Sequence, residues 1–475
     1  MRCPYQYFVS HLYKVRDIIC RKMIKTLENK RYHKGISPIR ILPLGFLCIA
    51  LIGALLLMLP IASHGKPLSF FDALFTATSA SCVTGLVVVD TGTHFTLFGQ
   101  IVILILIQMG GLGFMTAATL LFRATRKRIS LRNRMTLAES FGEDRLQGVI
   151  RLCMSAVKYT FLIEACGALL LSLRFVPDFG PRGVWLSIFH SISAFCNAGF
   201  DLMGNYSSLT RYVADPLVNF TIMALIITGG LGFSVMVELR EHKRLPALSM
   251  HAKLVLSASA VLILFGTAFF LLFEAGNPAT MGGLSAPQKL LAALFQSVTC
   301  RTAGFNTIPQ ETLTDASKLL SSTLMIIGGG PAGTAGGIKV TSVAVLLLTA
   351  HACIRNHRDT EIFGRRISAV SVRRSLCLAI IAILVLFAAL IGITFIEQQA
   401  HENLNFLDFF FEATSALGTV GLTAGLTAVA SPFTRGILCV MMYLGRAGIM
   451  TIALAIGGRT DDPAIRYPEG NILIG

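Results

Sequence analysis

Four short stretches of this sequence end in a tetrad whose third residue is glycine and whose backbone could coordinate a cation. They read FTATSASCVTGL, FHSISAFCNAGF, FQSVTCRTAGF and FEATSALGTVGL, and the tetrad glycines are Gly85, Gly199, Gly304 and Gly421. The tetrads contain no carboxylate, so selection by main-chain carbonyl oxygens fits better than selection by a ring of acidic side chains. Hard oxygen ligands of this kind suit alkali ions rather than soft transition metals.

Each tetrad follows an apolar piece of about a dozen residues, which is too short to cross a bilayer. These pieces lie approximately at 70–81, 185–195, 288–299 and 406–416. A helix that ends inside the membrane leaves carbonyl groups unpaired, so the following loop must line a polar cavity. In a single tetrad, the small residues would be explained by close helix packing. Four copies, with glycines 114, 105 and 117 residues apart, instead favour a pore.

The segment 328–337 is a second unusual feature, because it places six glycines and one proline inside an apolar run. Glycine costs about 1 kcal/mol and proline about 3 kcal/mol in a helix interior, so we expect a break here. Below the tetrads this break would act as a gate. A simple kink is one alternative; a phosphate-binding loop is weaker, because the spacing G-x-x-x-x-G-K-[ST] and a preceding strand are absent. The candidate gate residues are Gly328, Gly329, Gly330, Gly333, Thr334, Gly336, Gly337 and Lys339.

Arg446 is a charged residue inside an apolar run, in the sequence YLGRAGI. A charge at this depth costs about 2.5–3.5 kcal/mol and normally faces a pore or a partner. We expect Arg446 to face the pore and to act as an electrostatic barrier to cations. The alternative is a packing ion pair with Glu412 or Asp72.

The elements that must position these residues are eight long apolar runs, each long enough for a transmembrane helix. With the four short pieces they predict an all-α integral membrane protein of four helix–pore-helix–helix repeats, with eight transmembrane helices and four re-entrant pore helices around one pseudo-fourfold pore. The predicted repeats cover residues 41–123, 152–238, 251–350 and 372–458, between a basic N-terminal segment 1–40 and a tail 459–475.

Composition and charge placement support this organisation. Of the 475 residues, 54% are hydrophobic and 14% are charged, whereas soluble domains carry about 25% charged residues. The net charge is +16, and 31 of the 41 Lys and Arg residues lie in five segments on one side of the predicted spans. The positive-inside rule places those segments, including both termini, in the cytoplasm. The surplus of positive charge therefore indicates the orientation of the protein in the membrane, contact with membrane lipid and a docking face, rather than nucleic-acid binding.

Taken together, these motifs resemble the Trk/Ktr/HKT superfamily of potassium transporters over approximately residues 40–460. With only eight spans, the chain is most similar to the bacterial KtrB-type ion-translocating subunits. The resemblance implies that filter carbonyls come from the first three residues of each tetrad: Val83, Thr84, Gly85, Asn197, Ala198, Gly199, Thr302, Ala303, Gly304, Thr419, Val420 and Gly421. In the family a serine at the first-repeat glycine accompanies sodium selectivity, so Gly85 favours K+ as the transported ion.

The resemblance also implies partners and a location. It implies a homodimer whose protomers each contain a pore, docked on a cytosolic octameric ring of nucleotide-binding RCK-type regulatory subunits. The expected location is the bacterial inner membrane, and a role for Na+, coupled or activating, stays open. From the residues alone, a sodium- or proton-coupled solute symporter is the alternative. An enzyme is disfavoured, because no nucleophile, base and orienting group occur together.

Overall fold

The computed structural model describes residues 38–113, 148–242, 245–398, 400 and 404–457, with four single residues between 114 and 147. The described chain is mostly helical and includes a short antiparallel hairpin, β1 (Glu361–Ile362) and β2 (Arg365–Arg366). Except for residues 38–40, the predicted N-terminal segment 1–40 and the whole tail 459–475 lie outside the described residues.

The helices follow a similar order in each predicted repeat: a long helix, a short helix, and a second helix that is short, bent or interrupted. The first repeat contains α1 (Pro38–Leu57), α2 (Phe70–Ser81), α3 (Thr91–His94) and α4 (Leu97–Leu112). The second contains α5 (Val149–Phe179), α6 (Arg182–Phe195), α7 (Pro216–Gly230) and α8 (Phe233–Glu241). The third contains α9 (Met250–Glu274), α10 (Ala286–Thr299), α11 (Asp315–Ile326) and α12 (Val340–Ile354). The fourth contains α13 (Ala369–Glu397), α14 (Phe406–Gly418), α15 (Leu426–Val429), α16 (Pro432–Ala447) and α17 (Ile449–Gly457).

Local sequence explains where many of these helices begin and bend. The helices α4, α9, α11 and α16 each follow a Ser or Thr whose side chain accepts a hydrogen bond from a first-turn amide, which satisfies a donor that the helix itself leaves unpaired. Between α7 and α8 the chain bends by 100° at Gly232, and between α16 and α17 by 91° at Gly448. Both glycines have positive φ, +100° and +88°, a conformation that other residues adopt only with strain.

Four described helices are long and apolar enough to cross a membrane, and the number rises to six if each bent pair counts as one span. The four are α1, α5, α9 and α13. The sequence predicts eight spans, and each of the eight apolar runs contains a helix, but the second helix of each repeat fails the length test as a single straight span. The α4 and α12 helices have only 16 and 15 residues, and α12 is separated from α11 by the glycine-rich segment.

Polar side chains join neighbouring repeats. In three repeats the fourth residue of the second long helix, which is α4, α11 or α16, contacts the next repeat. Trp185 of α6 donates to Gln100 of α4 at 2.8 Å. Lys318 of α11 pairs with Asp408 of α14 at 2.7 Å, and Arg435 of α16 pairs with Asp72 of α2 at 2.7 Å. Each link ties a second helix to the short helix of the next repeat, so that three of the four short helices (α6, α14 and α2) are each tied to the repeat before them.

The aromatic residue that opens each repeated stretch is fully buried. The side chains of Phe75, Phe189, Phe295 and Phe411 are all 0% exposed. The C-terminal parts of the short helices therefore lie in the protein interior, and the tetrads that follow them are buried as well.

Candidate functional site

The four tetrad glycines lie side by side in a closed ring. A Cβ built on Gly85 would lie 3.0 Å from the Cα of Gly199, and one built on Gly199 would lie 2.9 Å from the Cα of Gly304. The ring continues with 3.4 Å from a Cβ on Gly304 to the Cα of Gly421, and 2.9 Å from one on Gly421 to the Cα of Gly85. Residues more than 100 positions apart in the chain thus meet in the order of the repeats.

Each ring glycine also faces a main-chain carbonyl oxygen of the next tetrad. A Cβ on Gly85, Gly199 or Gly304 would lie 2.5, 2.9 or 2.5 Å from that oxygen, which belongs to Ala198, Ala303 and Val420 respectively. For Gly421 the oxygen belongs to Thr84. A side chain at any of these positions would meet backbone, which cannot rotate away, so the close approach of the four strands requires glycine.

The first residue of each tetrad has a left-handed backbone although none of the four is glycine. The φ angles are +56° at Val83, +59° at Asn197, +68° at Thr302 and +52° at Thr419. Non-glycine residues adopt such angles at a cost and persist there only where the surrounding structure fixes them. The left-handed residue turns the chain sharply out of each short helix and starts the strand that forms the ring.

A hydroxyl at one matched position of each short helix holds the strand that follows, a role that the tetrad motifs themselves do not indicate. The side chains of Ser79 and Ser415 accept hydrogen bonds from the amides of Gly85 and Gly421, at 3.1 and 3.0 Å. In the other two repeats the hydroxyl is the donor: Ser193 donates to the carbonyl of Phe200 at 2.7 Å.

In the third repeat the donor is Thr299, which bonds the carbonyl of Phe305. The signal was present in the sequence, because a Ser or Thr stands four residues after the aromatic in all four stretches.

The candidate gate residues 328–337 lie in the non-helical stretch between α11 and α12, and this stretch crosses to the second repeat. The amides of Gly330 and Thr334 donate to the carbonyls of Gly230 and Gly229 at the end of α7, at 2.8 and 3.2 Å. The Thr334 hydroxyl donates to the carbonyl of Phe195, the last residue of α6, at 3.1 Å.

The same stretch also reaches the fourth tetrad. A Cβ on Gly336 would overlap the side chain of Thr419. The segment therefore packs directly against the first residues of the ring. It follows helix α11 rather than a strand, which disfavours the phosphate-binding alternative.

Arg446 and Lys339 both lie beside this segment. The Arg446 guanidinium donates to the carbonyls of Thr334 and Gly110, and to that of Gly111 at 3.1 Å. It thus bridges the segment to the end of α4. The Lys339 ammonium donates to the carbonyl of Ala335 at 2.6 Å. Both cations line one cavity of about 220 Å³.

The alternative ion pair of Arg446 with Glu412 or Asp72 is not formed. Asp72 pairs with Arg435. The Glu412 carboxylate accepts hydrogen bonds from Thr423 and from the amide and hydroxyl of Thr427. Glu412 instead holds the strand that leaves the fourth tetrad.

Comparisons with known proteins place the chain among membrane cation transporters. The model of the TrkH family, described as a cation transport protein, matches residues 38–457. The Ktr system potassium uptake protein B of Bacillus subtilis is 41% identical over 453 residues, which cover 95% of this chain and 100% of the relative. The potassium/sodium uptake protein NtpJ of Enterococcus hirae is 37% identical over 454 residues, with 95% and 100% coverage.

Among solved structures, the potassium transporter TrkH from Vibrio parahaemolyticus has the same fold. Its TM-score is 0.72 at 17% sequence identity, and the match covers 90% of this chain and 86% of that chain. The family match spans almost the whole described region, and the two sequence relatives are matched over their full length. The chain therefore belongs to the TrkH/Ktr family of membrane cation transport proteins, which are not enzymes.

Proposed function

We propose that this chain is the ion-translocating subunit of a potassium uptake system and that its four tetrads form the selectivity filter. The observation that carries the proposal is the closed ring of Gly85, Gly199, Gly304 and Gly421 with the adjoining carbonyl oxygens. Such oxygens can replace the hydration shell of an alkali ion. The names of the two relatives, a potassium and a potassium/sodium uptake protein, support K+ as the main ion and leave a role for Na+.

The proposed membrane arrangement has eight spans and four re-entrant pore helices around one pseudo-fourfold pore. Helices α2, α6, α10 and α14 are the pore helices, and the second helix of each repeat crosses despite its bend or break. Backbone that is not helical is tolerated at membrane depth where it lines a cavity or is buried in protein. The charge distribution supports cytoplasmic termini in a bacterial inner membrane.

In this proposal the segment 328–337 is the gate, with Lys339 and Arg446 beside it. It packs against Phe195 and Thr419 at the inner end of the filter, so an ion leaving the filter would meet it. The basic cytoplasmic face would dock the cytosolic nucleotide-binding RCK-type ring, and the assembly would contain a homodimer of this chain. Shape changes of the ring would then move the segment.

Uptake of radioactive rubidium into proteoliposomes tests the function directly. We expect the purified protein to take up Rb+ down its gradient, with K+ competing more strongly than Na+. A coupled solute symporter would instead show ion uptake only when its solute is supplied. Empty vesicles, prepared in parallel, give the background.

Shortening the proposed gate is expected to raise uptake. Deleting residues 331–335 removes Thr334 and its hydrogen bonds to Gly229 and Phe195, so we expect severalfold faster Rb+ uptake without the cytosolic partner. A deletion of residues 363–364, in the turn of the β1–β2 hairpin, is the control and should leave uptake unchanged. If uptake by the 331–335 deletion stays at the level of the control, the segment is not a gate.

Replacing Arg446 is expected to raise uptake in the same direction as the deletion. Arg446→Ala removes the bridge from Thr334 to Gly110 and Gly111, and loss of one charge-assisted hydrogen bond corresponds to about a tenfold change in the open fraction. Arg446→Lys keeps the charge but not the planar fork, so we expect an intermediate rate. Rb+ uptake normalised to protein in the vesicles measures the effect. Loss of folded protein from both variants would instead favour a structural role.

A further inference from the structure

Arg301 is a buried cation outside the ring and outside the segment 328–337. It is the residue directly before the third tetrad, where the other three repeats have Cys82, Cys196 and Gly418. A long cationic side chain at this position therefore occurs only in the repeat that also contains the segment 328–337.

The guanidinium of Arg301 bonds two main-chain carbonyls of different elements. It donates to Ser259 of α9 at 3.2 Å and to Gly328, the first residue of the proposed gate, at 3.3 Å. Arginine has five N–H donors in a planar fork, and here the fork spans from a long helix to the gate. The residue is 8% exposed.

The surroundings of Arg301 are mostly apolar. It lines a narrow cavity together with Ile226, Ile263, Val298 and Gly329. An ionised group in such a site is costly, and packing alone is served equally well or better by an apolar side chain. Its hydrogen bonds to the carbonyls, rather than its volume, therefore distinguish Arg301 from the small residues at the matched positions.

We propose that Arg301 is a positioning residue that tethers the gate to the third strand of the filter. The tether holds the carbonyl of Gly328 when the segment 328–337 is closed, and opening of the segment withdraws that carbonyl from the guanidinium. This inference rests on the proposed function, since it needs both a filter at Thr302–Gly304 and a gate at 328–337.

A double-mutant experiment in proteoliposomes tests the tether. Arg301→Gln and Arg301→Lys are each made in the full-length chain and in the chain lacking residues 331–335, and Rb+ uptake is measured against Rb+ concentration with and without competing Na+. Arg174→Gln, which breaks the surface ion pair of Arg174 with Asp215, is the control and should behave as the unaltered protein.

In the full-length chain we expect Arg301→Gln to raise the maximal uptake rate about tenfold, the factor that one charge-assisted hydrogen bond supplies. The apparent KM for Rb+ and the competition by Na+ should not change, because the filter stays intact. Arg301→Lys should be intermediate, since one ammonium cannot reproduce the fork. In the shortened chain neither variant should add to the rate, because the gate is already released.

Two results would overturn the tether. The first is a loss of selectivity or rate in both backgrounds, which would make Arg301 a support of the filter alone. The second is a maximal uptake rate that Arg301→Lys leaves unchanged in the full-length chain. This result would overturn the tether even if the Arg301→Gln variant is not recovered folded. Failure of the proposed function is a separate result, because then the unaltered protein itself would take up no Rb+.

Discussion

Gly85→Ser is expected to reduce K+ uptake and to erode the preference for K+ over Na+ by about tenfold. A Cβ at this position would lie 2.5 Å from the carbonyl oxygen of Ala198 and 3.0 Å from the Cα of Gly199. The φ angle of Gly85 is +97°, and a left-handed backbone costs a residue with a Cβ roughly 1–2 kcal/mol, where 1.4 kcal/mol is a factor of ten. We expect the clash and the backbone strain both to displace carbonyl oxygens of the ring. The resemblance to the family, in which a serine at this position accompanies sodium selectivity, supports the same expectation.

Gly65→Ser is the matched control for this prediction. Gly65 has nearly the same φ, +95°, but nothing within 4 Å of a built Cβ, so the substitution introduces the backbone strain without the clash. Rb+ uptake in the presence of increasing Na+ measures the preference for each variant. If Gly85→Ser and Gly65→Ser retain the same selectivity as the unaltered protein, the ring of glycines does not select the ion.

Lys318→Met is expected to destabilise the protein by about 3–5 kcal/mol, because it leaves one member of a buried ion pair without its partner. Lys318 and Asp408 are 7% and 4% exposed, and their side chains pair at 2.7 Å. The pair joins α11, which leads into the proposed gate, to the first turn of α14. Its loss should therefore lower both the thermal stability in detergent and the rate of Rb+ uptake.

The double variant Lys318→Met with Asp408→Asn separates the ion pair from the other role of Asp408. The Asp408 carboxylate also accepts a hydrogen bond from the amide of Asn405 at 2.9 Å, and the Asn side chain can keep that cap without the charge. We expect the double variant to recover most of the lost stability. Arg174→Gln breaks a pair whose arginine is 50% exposed and should cost under about 1 kcal/mol. A Lys318→Met variant as stable as this control would falsify the prediction.

The sequence was sufficient to identify the family and to find the residues that meet in the ring. Four glycines at matched positions after short apolar pieces are visible without a structure, because each repeat carries the same local signal. The family assignment is confirmed by the comparisons. The apolar runs did not indicate the bends that follow α7 and α16, where the chain turns by about a right angle at the breaks that contain Gly232 and Gly448.

Other features could not be read from the sequence because they depend on neighbours far along the chain. That Arg446 faces the pore stays a prediction, whereas the alternative pair with Glu412 or Asp72 is wrong, because its partners are main-chain carbonyls of Thr334 and Gly110. Every residue has a main-chain carbonyl, so no pattern of residue types could identify these hydrogen-bond partners. The contact of Arg301 is invisible in the sequence for the same reason, since its partner at Gly328 is also backbone.

The sequence by itself determined the apolar helices, the glycine-rich break at 328–337 and the four matched tetrads, because hydrophobic length, glycine and proline act locally. Only the tertiary structure decided which strands are neighbours in the ring, which carbonyls the buried cations hold, and where the segment 328–337 lies against Phe195 and Thr419. The contacts within the ring, those of the segment with Phe195 and Thr419, and those of Arg446 join residues separated by more than 80 positions in the sequence. They arise from the packing of whole helices, which side-chain volume and close backbone approach determine only when all four repeats are assembled.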